Sequence, residues 1–176
     1  FFFMSSSPVG FFDSGIGGLT VAHAIAHHLP NESLIYFGDT AHLPYGDKSP
    51  ELIQSFAEGI TQFLIEEKKC KAIVIACNTA SAVAYPKLRD KYQGKTPIFN
   101  VIDPIIEAVV SQKEVEKIGI IGTKTTIESG VYQEKLQRRK PEITVSSLAT
   151  PLLVPMIEEQ FIANKISQTI IKEYLF

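Results

Sequence analysis

The sequence contains little cysteine, little net charge and no long apolar run. Two cysteines among 176 residues cannot form a disulfide framework, so we expect a protein of the reducing cytoplasm. The 17 basic and 19 acidic residues are interspersed and leave a net charge of -2, without the positive surface typical of nucleic-acid binding. The basic cluster Arg138-Arg139-Lys140 closes a predicted helix, and we expect it to be a solvated helix end. No run reaches the ~18 apolar residues of a membrane span, so we expect neither a nucleic-acid partner nor a membrane.

Common cofactor and metal motifs are also incomplete or missing. Gly15 and Gly17 begin a G-x-G-x-x-G pattern, but Thr20 stands where the third glycine of a dinucleotide site belongs. The sequence has no phosphate-binding loop of the form G-x-x-x-x-G-K-[ST], and no lysine stands out as a Schiff-base residue for pyridoxal phosphate. His23 and His27 share a helix face, but the pattern favours a solvated helix end over a metal site. We therefore expect no cofactor and no metal.

The chain is long and apolar enough to fold without such aids, since 45% of its residues are hydrophobic. Short apolar runs alternate with segments of helical periodicity, beginning with a strand at 9–12 and a helix at 17–29. This order predicts a parallel sheet with helices on both faces and a ligand site beyond the carboxyl ends of the strands. The other predicted elements of this first part are strands at 33–37, 72–76 and 97–101 and helices at 49–69, 79–88 and 103–111.

The pattern restarts after Glu116. Residues 118–123 resemble residues 9–14, and residues 143–149 correspond to the second strand. Residues 150–155 resemble the loop at 40–44, and a predicted helix at 165–174 matches the helix at 50–69. The sequence then ends before a counterpart of the strand at 73–77. We therefore expect an α/β protein of two pseudo-symmetric lobes with mostly parallel sheets flanked by helices. The predicted lobes are residues 4–100, starting at Met4, and residues 101–176, with the second lobe truncated.

The segment Cys77-Asn78-Thr79 directly follows the predicted strand at 72–76 and opens the next helix. The free N–H groups of a helix N-terminus stabilise a thiolate and can also receive a carboxylate, so we expect the pKa of Cys77 to lie below that of a free cysteine. A buried structural cysteine is the alternative. The donors of Asn78 and Thr79 favour a functional thiol.

Two further polar segments follow the first and second predicted strands. Asp13-Ser14-Gly15 brings a carboxylate and a hydroxyl, and Pro44-Tyr45-Gly46 forms a turn whose backbone N–H groups can face an anion. Each segment could instead be structural, as a helix cap, a turn cap or a cover for apolar surface. Because the carboxyl ends of parallel strands share one edge of a sheet, we expect all three segments to line one cleft.

These three motifs resemble those of the glutamate racemases, enzymes that supply D-glutamate for peptidoglycan without a cofactor. The resemblance extends to Ile120-Ile121-Gly122-Thr123 and to Val154-Pro155-Met156-Ile157-Glu158. It implies a two-lobed α/β fold with the active site between the lobes and a cysteine on each side of the substrate α-carbon. The second cysteine of the family lies in a Cys-Thr-His motif, which this sequence does not contain.

The resemblance also implies a role for individual residues. Cys77 would exchange a proton on one face of the substrate, and Asp13 would orient or exchange a proton with the thiol or the substrate ammonium. Tyr45 and Gly46 would receive a carboxylate through their backbone N–H groups. The substrate-binding residues implied in this way are Asp13, Ser14, Pro44, Tyr45, Gly46, Asn78, Thr79 and Thr123.

Other functions remain open at this point. An aspartate racemase or a related amino-acid racemase differs from a glutamate racemase in pocket shape, which the sequence does not reveal. A cysteine hydrolase would use Cys77 with His42 as its base, although the glycines of a nucleophile elbow are replaced by Ala76 and Asn78. A non-catalytic amino-acid-binding fragment is the third alternative. As partners we expect glutamate and allow for a homodimer.

Overall fold

The computed structural model describes residues 6–161 and 164–175, so the expected start at Met4 lies outside the described residues. The chain divides into two compact units, Phe1–Val101 and Ile102–Phe176. Each unit is an α/β arrangement whose strands pair in parallel, as the alternating sequence pattern predicts. None of the helices in the described part of the chain combines the length and the apolarity needed to cross a bilayer.

The first unit is built on a sheet with the strand order β2-β1-β3-β4. All three pairings in this sheet are parallel, so the four strands end at one edge. The predicted strands are therefore confirmed, with β1 in the interior of the sheet between β2 and β3. The elements are β1 Val9–Asp13, α1 Leu19–His28, β2 Leu34–Gly38, α2 Pro50–Glu66, β3 Ala72–Ile75, α3 Asn78–Val83, α4 Tyr85–Tyr92 and β4 Ile98–Asn100, with single 3₁₀ turns at Thr40–His42 and Tyr45–Asp47.

Helix α2 illustrates how the sequence builds this unit. The Ser49 side chain caps the helix by accepting a hydrogen bond from the Leu52 N–H at 3.3 Å, and a proline follows in the first turn. One face of the helix is buried in the core against β1 and β3, with Ile53 and Leu64 fully inaccessible. The predicted helix at 79–88 differs from the structure, because the chain forms α3 and α4 with a break at Ala84. Pro86 explains the break, since proline does not fit a helix interior.

The second unit repeats the first part of this plan. Strands β5 and β6 pair in parallel, and the N–H of Thr150 donates to the carbonyl of Gly122 at 2.8 Å where they end. In the first unit the N–H of Asp39 donates to the carbonyl of Asp13 at 2.9 Å in the corresponding place. The sequence pattern matches residues 150–155 to the loop at 40–44. In the structure this correspondence ends at residue 153, where helix α8 begins. The elements are α5 Ile102–Ser111, β5 Lys117–Gly122, α6 Lys124–Glu128, α7 Val131–Arg139, β6 Thr144–Ala149, α8 Leu153–Glu158 and α9 Lys165–Leu175.

Lys140 shows that the expected solvated basic cluster is wrong at its last residue. Arg138 and Arg139 are exposed at the end of α7, but Lys140 is only 8% exposed. Its Nζ donates to the backbone carbonyls of Gln112, Lys113 and Val115 at 3.0, 3.3 and 2.6 Å. These carbonyls lie between α5 and β5, where helix-terminal acceptors need partners. Lys140 therefore binds the segment that leads into β5.

We expect Lys140→Met to destabilise the protein by about 2 kcal/mol, because three partly buried hydrogen bonds from a charged donor are lost. Equilibrium unfolding in urea measures this loss. The matched control is Lys135→Met, which removes a partly exposed ion pair with Asp103 in the same unit and should cost under ~1 kcal/mol. Equal losses of unfolding free energy in the two variants would mean that the hydrogen bonds from Lys140 to the three carbonyls do not stabilise the protein more than a surface ion pair does.

Candidate active site

The three polar segments singled out from the sequence follow β1, β2 and β3 at the same edge of the sheet. Backbone hydrogen bonds join the residues that directly follow β2 and β3 to the end of β1. The N–H of Ala76 donates to the carbonyl of Phe12 at 2.8 Å, and the N–H of Asp39 donates to the carbonyl of Asp13 at 2.9 Å. The segments after β2 and β3 therefore begin on either side of the end of β1, which carries Asp13.

Cys77 is the N-cap residue of α3. Its backbone is extended, and its Sγ accepts the N–H of Ala80 at 3.4 Å. The thiol also donates to the hydroxyl of Ser14, with 3.7 Å between Sγ and Oγ. Cys77 is 5% exposed and belongs to the buried cluster of the first unit. The structure thus brings the thiol to the loop after β1, as the sequence predicts.

The expected low pKa of Cys77 is wrong. Burial and then the negative charge of Asp13 raise the pKa of Cys77 to about 11. The N–H of Ala80 and the donors of Ser14 lower the pKa, but by less than burial and Asp13 raise it. Helix α3 has only six residues, so its dipole adds little. Without a ligand, the group at this position is a neutral thiol.

Asp13 is 6% exposed and holds the loop that leads into α1. Its Oδ2 accepts the N–H groups of Gly15 at 3.3 Å and Gly18 at 2.9 Å. A Cβ on Gly18 would lie 2.7 Å from the Cβ of Ala76, so only glycine allows this close approach. Asp13 therefore has a structural role in this loop, although the N-cap residue of α1 is Gly18 and not Asp13 or Ser14, as the structural alternative expected. The same carboxylate is also close enough to Cys77 to raise its pKa.

Tyr36 is a further candidate residue, which was not identified from the sequence. Its hydroxyl lies 3.1 Å from the carbonyl of Gly15 and 3.4 Å from Oδ2 of Asp13. Burial and Asp13 raise the pKa of Tyr36 well above its ordinary value, so the hydroxyl stays protonated and can donate. The sequence feature that could have identified it is a tyrosine two residues before the end of an otherwise apolar strand. Such a residue lies on the same sheet face as the strand's last residue.

The segment after β2 places Tyr45 in the core. Tyr45 is 2% exposed, and its hydroxyl donates to Oδ2 of Asp39 at 2.5 Å. Gly46 is also buried, whereas Pro44 is exposed. The side chain of Tyr45 therefore covers apolar surface, which was one of the structural alternatives. On α3, Asn78 is exposed and Thr79 is buried beside Cys77.

Thr123, the remaining candidate, lies in the second unit directly after β5. It is the N-cap of α6, and its Oγ1 accepts the N–H of Thr126 at 3.3 Å. Its place after β5 corresponds to that of Ser14 after β1 in the first unit. The structure therefore brings Asp13, Ser14 and Tyr45 close to Cys77 and places Thr123 at the equivalent position of the other unit.

His42 is not arranged as a base for Cys77. Its Nδ1 is hydrogen-bonded to Oδ1 of Asp39 at 2.7 Å, and its ring stacks on Phe56 with 4.1 Å between centroids. The thiol makes its hydrogen bonds with Ser14 and Ala80. This arrangement gives the hydrolase alternative no support. Within the described residues, no three His, Cys, Asp or Glu side chains are grouped as metal ligands.

Residues 19–170 match the model of a family described as Asp/Glu/hydantoin racemase. The chain belongs to this family. Among curated members, a glutamate racemase of Neisseria meningitidis is 45% identical over 168 residues, which cover 96% of this chain and 62% of that protein. A glutamate racemase of Streptococcus equi is 41% identical over 172 residues, covering 98% of this chain and 64% of that protein. The chain thus spans a little over three fifths of the length of these racemases.

Solved racemase structures share the fold. The glutamate racemase of Francisella tularensis, in complex with D-glutamate, has a TM-score of 0.89 and 42% identity and matches 97% of this chain and 63% of that one. The enzyme of Thermus thermophilus, in complex with β-chloro-D-alanine, has a TM-score of 0.84 and 39% identity, with 97% and 62% covered. These likenesses confirm the α/β fold with parallel sheets flanked by helices.

Proposed function

We propose that the protein to which this chain belongs is a glutamate racemase, which interconverts L- and D-glutamate without a cofactor. The observation that carries the proposal is the Cys77 thiol at the end of β3, hydrogen-bonded to Ser14 and close to Asp13. Family membership supports it, as do the names of the relatives that are 41–45% identical. One structural neighbour is described in complex with D-glutamate.

Racemisation removes the α-hydrogen of the substrate from one face and returns a proton to the other. A neutral Cys77 can deliver a proton but must first lose its own proton to accept one, and the carboxylate of Asp13 is proposed to take that proton. A substrate ammonium near Asp13 would offset the negative charge that raises the pKa of Cys77. Substrate binding would therefore favour the thiolate in the complex, where it is needed as the base.

The remaining site residues are proposed to hold the substrate. Ser14, Asn78 and Thr79 would donate to its α-carboxylate or receive its amino group, and the backbone at Tyr45 and Gly46, after Pro44, would receive a carboxylate. Thr123 is proposed as a further binding residue. Hydrogen bonds to the carboxylate and exclusion of water would stabilise the carbanion that forms when the α-hydrogen leaves.

A two-base mechanism also needs an acid or base on the opposite face. Cys70 is unsuited to this task, because its Sγ packs against Gly10 near the start of β1, at the far end of the strand from Asp13. Burial also raises the pKa of Cys70. The relatives are longer than this chain, and we propose that the second group belongs to a part of the protein outside residues 1–176.

The wider context is part of the same proposal. We propose that the two compact units are the two lobes, with their boundary between Val101 and Ile102, one residue beyond the boundary at 100–101 predicted from the sequence. The enzyme works in the cytoplasm and supplies D-glutamate for peptidoglycan. A homodimer is proposed as its assembly.

We expect the complete protein to convert L-glutamate to D-glutamate, detected by chiral chromatography, and to incorporate deuterium at the α-carbon in D₂O. Aspartate, offered in parallel, tests substrate length. Faster conversion of aspartate would assign the protein to a related racemase instead. Glutamate binding without deuterium incorporation would contradict catalysis and favour a binding function.

A further inference from the structure

The carboxylate of Asp39 joins two parts of the candidate site. Asp39 directly follows β2, is 6% exposed, and donates its backbone N–H to the carbonyl of Asp13 at 2.9 Å. Its Oδ2 accepts the hydroxyl of Tyr45 at 2.5 Å, and its Oδ1 is paired with Nδ1 of His42 at 2.7 Å. A single residue is thus attached to Asp13 through its backbone and to Tyr45 through its side chain.

We propose that Asp39 is a positioning residue that fixes the Tyr45–Gly46 backbone relative to Asp13 and Cys77. The inference rests on the proposed function, in which this backbone receives a carboxylate of the substrate. Asp39 touches neither the substrate nor the reacting atoms in this proposal. It acts by setting the distance between the carboxylate-binding turn and the thiol.

The contacts of Asp39 connect several elements of the first unit. A buried carboxylate and a buried phenol both require partners, and here each supplies one to the other. The turn at Tyr45–Asp47 is closed by a hydrogen bond from the N–H of Lys48 to the carbonyl of Tyr45 at 3.1 Å. The ring of His42 stacks on Phe56 of α2 with an interplanar angle of 23°. Asp39 therefore couples the turn to β1 and, through His42, to α2.

Such coupling matters for substrate binding, because the backbone donors of the turn bind a carboxylate well only when they are already held in place. Preorganised donors bind more tightly because little free energy is lost in ordering them. A carboxylate held by the turn places the substrate α-carbon at a set distance from Sγ of Cys77. If the hydroxyl of Tyr45 lost Asp39, the turn would keep its backbone donors but lose its fixed position.

The experiment uses the complete protein and three variants. Tyr45→Phe removes the hydroxyl but keeps the backbone, and Asp39→Ala removes the carboxylate. We expect each to raise KM for glutamate roughly tenfold, with a smaller fall in kcat, because a weakened carboxylate site acts mainly on binding. Asp39→Asn keeps an acceptor oxygen for Tyr45 and an amide group for His42, so it should restore KM to within about threefold of the wild-type value.

Tyr92→Phe is the matched control, because Tyr92 is another buried tyrosine of the same unit but lies on α4, which packs against β4 at the opposite edge of the sheet from β2. It should leave KM unchanged. A purely structural role for Asp39 would lower the melting temperature of its variants without raising KM, and that result would overturn the inference. If Asp39→Ala does not fold, Tyr45→Phe and Asp39→Asn still decide the question.

The outcomes separate this inference from the proposed function. A wild-type protein that racemises glutamate, with KM unchanged in Tyr45→Phe, would overturn the positioning role and keep the function. A wild-type protein that binds glutamate without racemising it would overturn the function, and the Kd of glutamate for the same variants would then decide the positioning role. Absence of glutamate binding to the wild-type protein would overturn both.

Discussion

Replacing Cys77 with alanine in the complete protein is expected to abolish racemisation of glutamate while the fold survives. In the proposed mechanism the thiol is the acid–base group on its face of the substrate, and positioned groups of this kind contribute roughly 10²- to 10⁴-fold in rate. The variant also loses the N-cap acceptor of Ala80, which should cost about 1 kcal/mol. Chiral chromatography measures the activity, and thermal melting followed by circular dichroism measures the fold.

Cys70→Ala provides the control for this variant. Cys70 is also a buried cysteine of the first unit, but it packs near Gly10 at the other end of β1. Its replacement should reduce stability, as core truncations do, without changing the reaction. Wild-type activity in Cys77→Ala would contradict the assignment of the thiol and with it the proposed mechanism.

Most of the site's layout is predictable from the sequence, for a simple physical reason. Strands such as β3 are short β-branched runs bounded by polar residues, so their ends can be located within about one or two residues. In a parallel sheet those ends share one edge. The proximity of Cys77 to the loop that carries Asp13 and Ser14 follows from these two facts and is confirmed by the 3.7 Å contact.

The pKa of Cys77 was not predictable in the same way. A helix N-terminus favours a thiolate, and that local effect can be recognised in the sequence. The depth of burial and the approach of Asp13 depend on tertiary packing around Gly18, and they outweigh the local effect. Tyr36 was not predicted either, because its hydroxyl contacts Asp13 only when β2 is paired with β1 in the tertiary structure.

The burial of Lys140 is a third feature that could not be predicted from the sequence. It follows two arginines that are exposed, and nothing in its neighbourhood along the chain distinguishes it from them. Its acceptors lie 25 to 28 residues earlier, between α5 and β5. A long-range cluster of carbonyls has no sequence signal, since every residue carries the same backbone acceptor.

We expect Cys77 of the ligand-free protein to resist alkylation at neutral pH. With a pKa of about 11, only about one thousandth of the thiol is ionised at pH 8, compared with about a quarter of a free cysteine of pKa ~8.5. The rate of iodoacetamide labelling, followed by mass spectrometry of the Cys77 peptide, should therefore keep rising above pH 9. Labelling that levels off below pH 8.5 would contradict the raised pKa.

Asp13→Asn tests the cause of this behaviour. Asparagine keeps an oxygen that can accept the N–H groups of Gly15 and Gly18 but carries no charge. Since the negative charge of Asp13 raises the pKa of Cys77, its removal should shift the labelling profile to lower pH, without restoring a free-cysteine value because burial is the larger cause. Asp90→Asn, which neutralises a surface carboxylate of the same unit, is the control and should leave the profile in place. An unchanged profile in Asp13→Asn would show that the carboxylate does not act on the thiol, and proton exchange between the two would have to be abandoned.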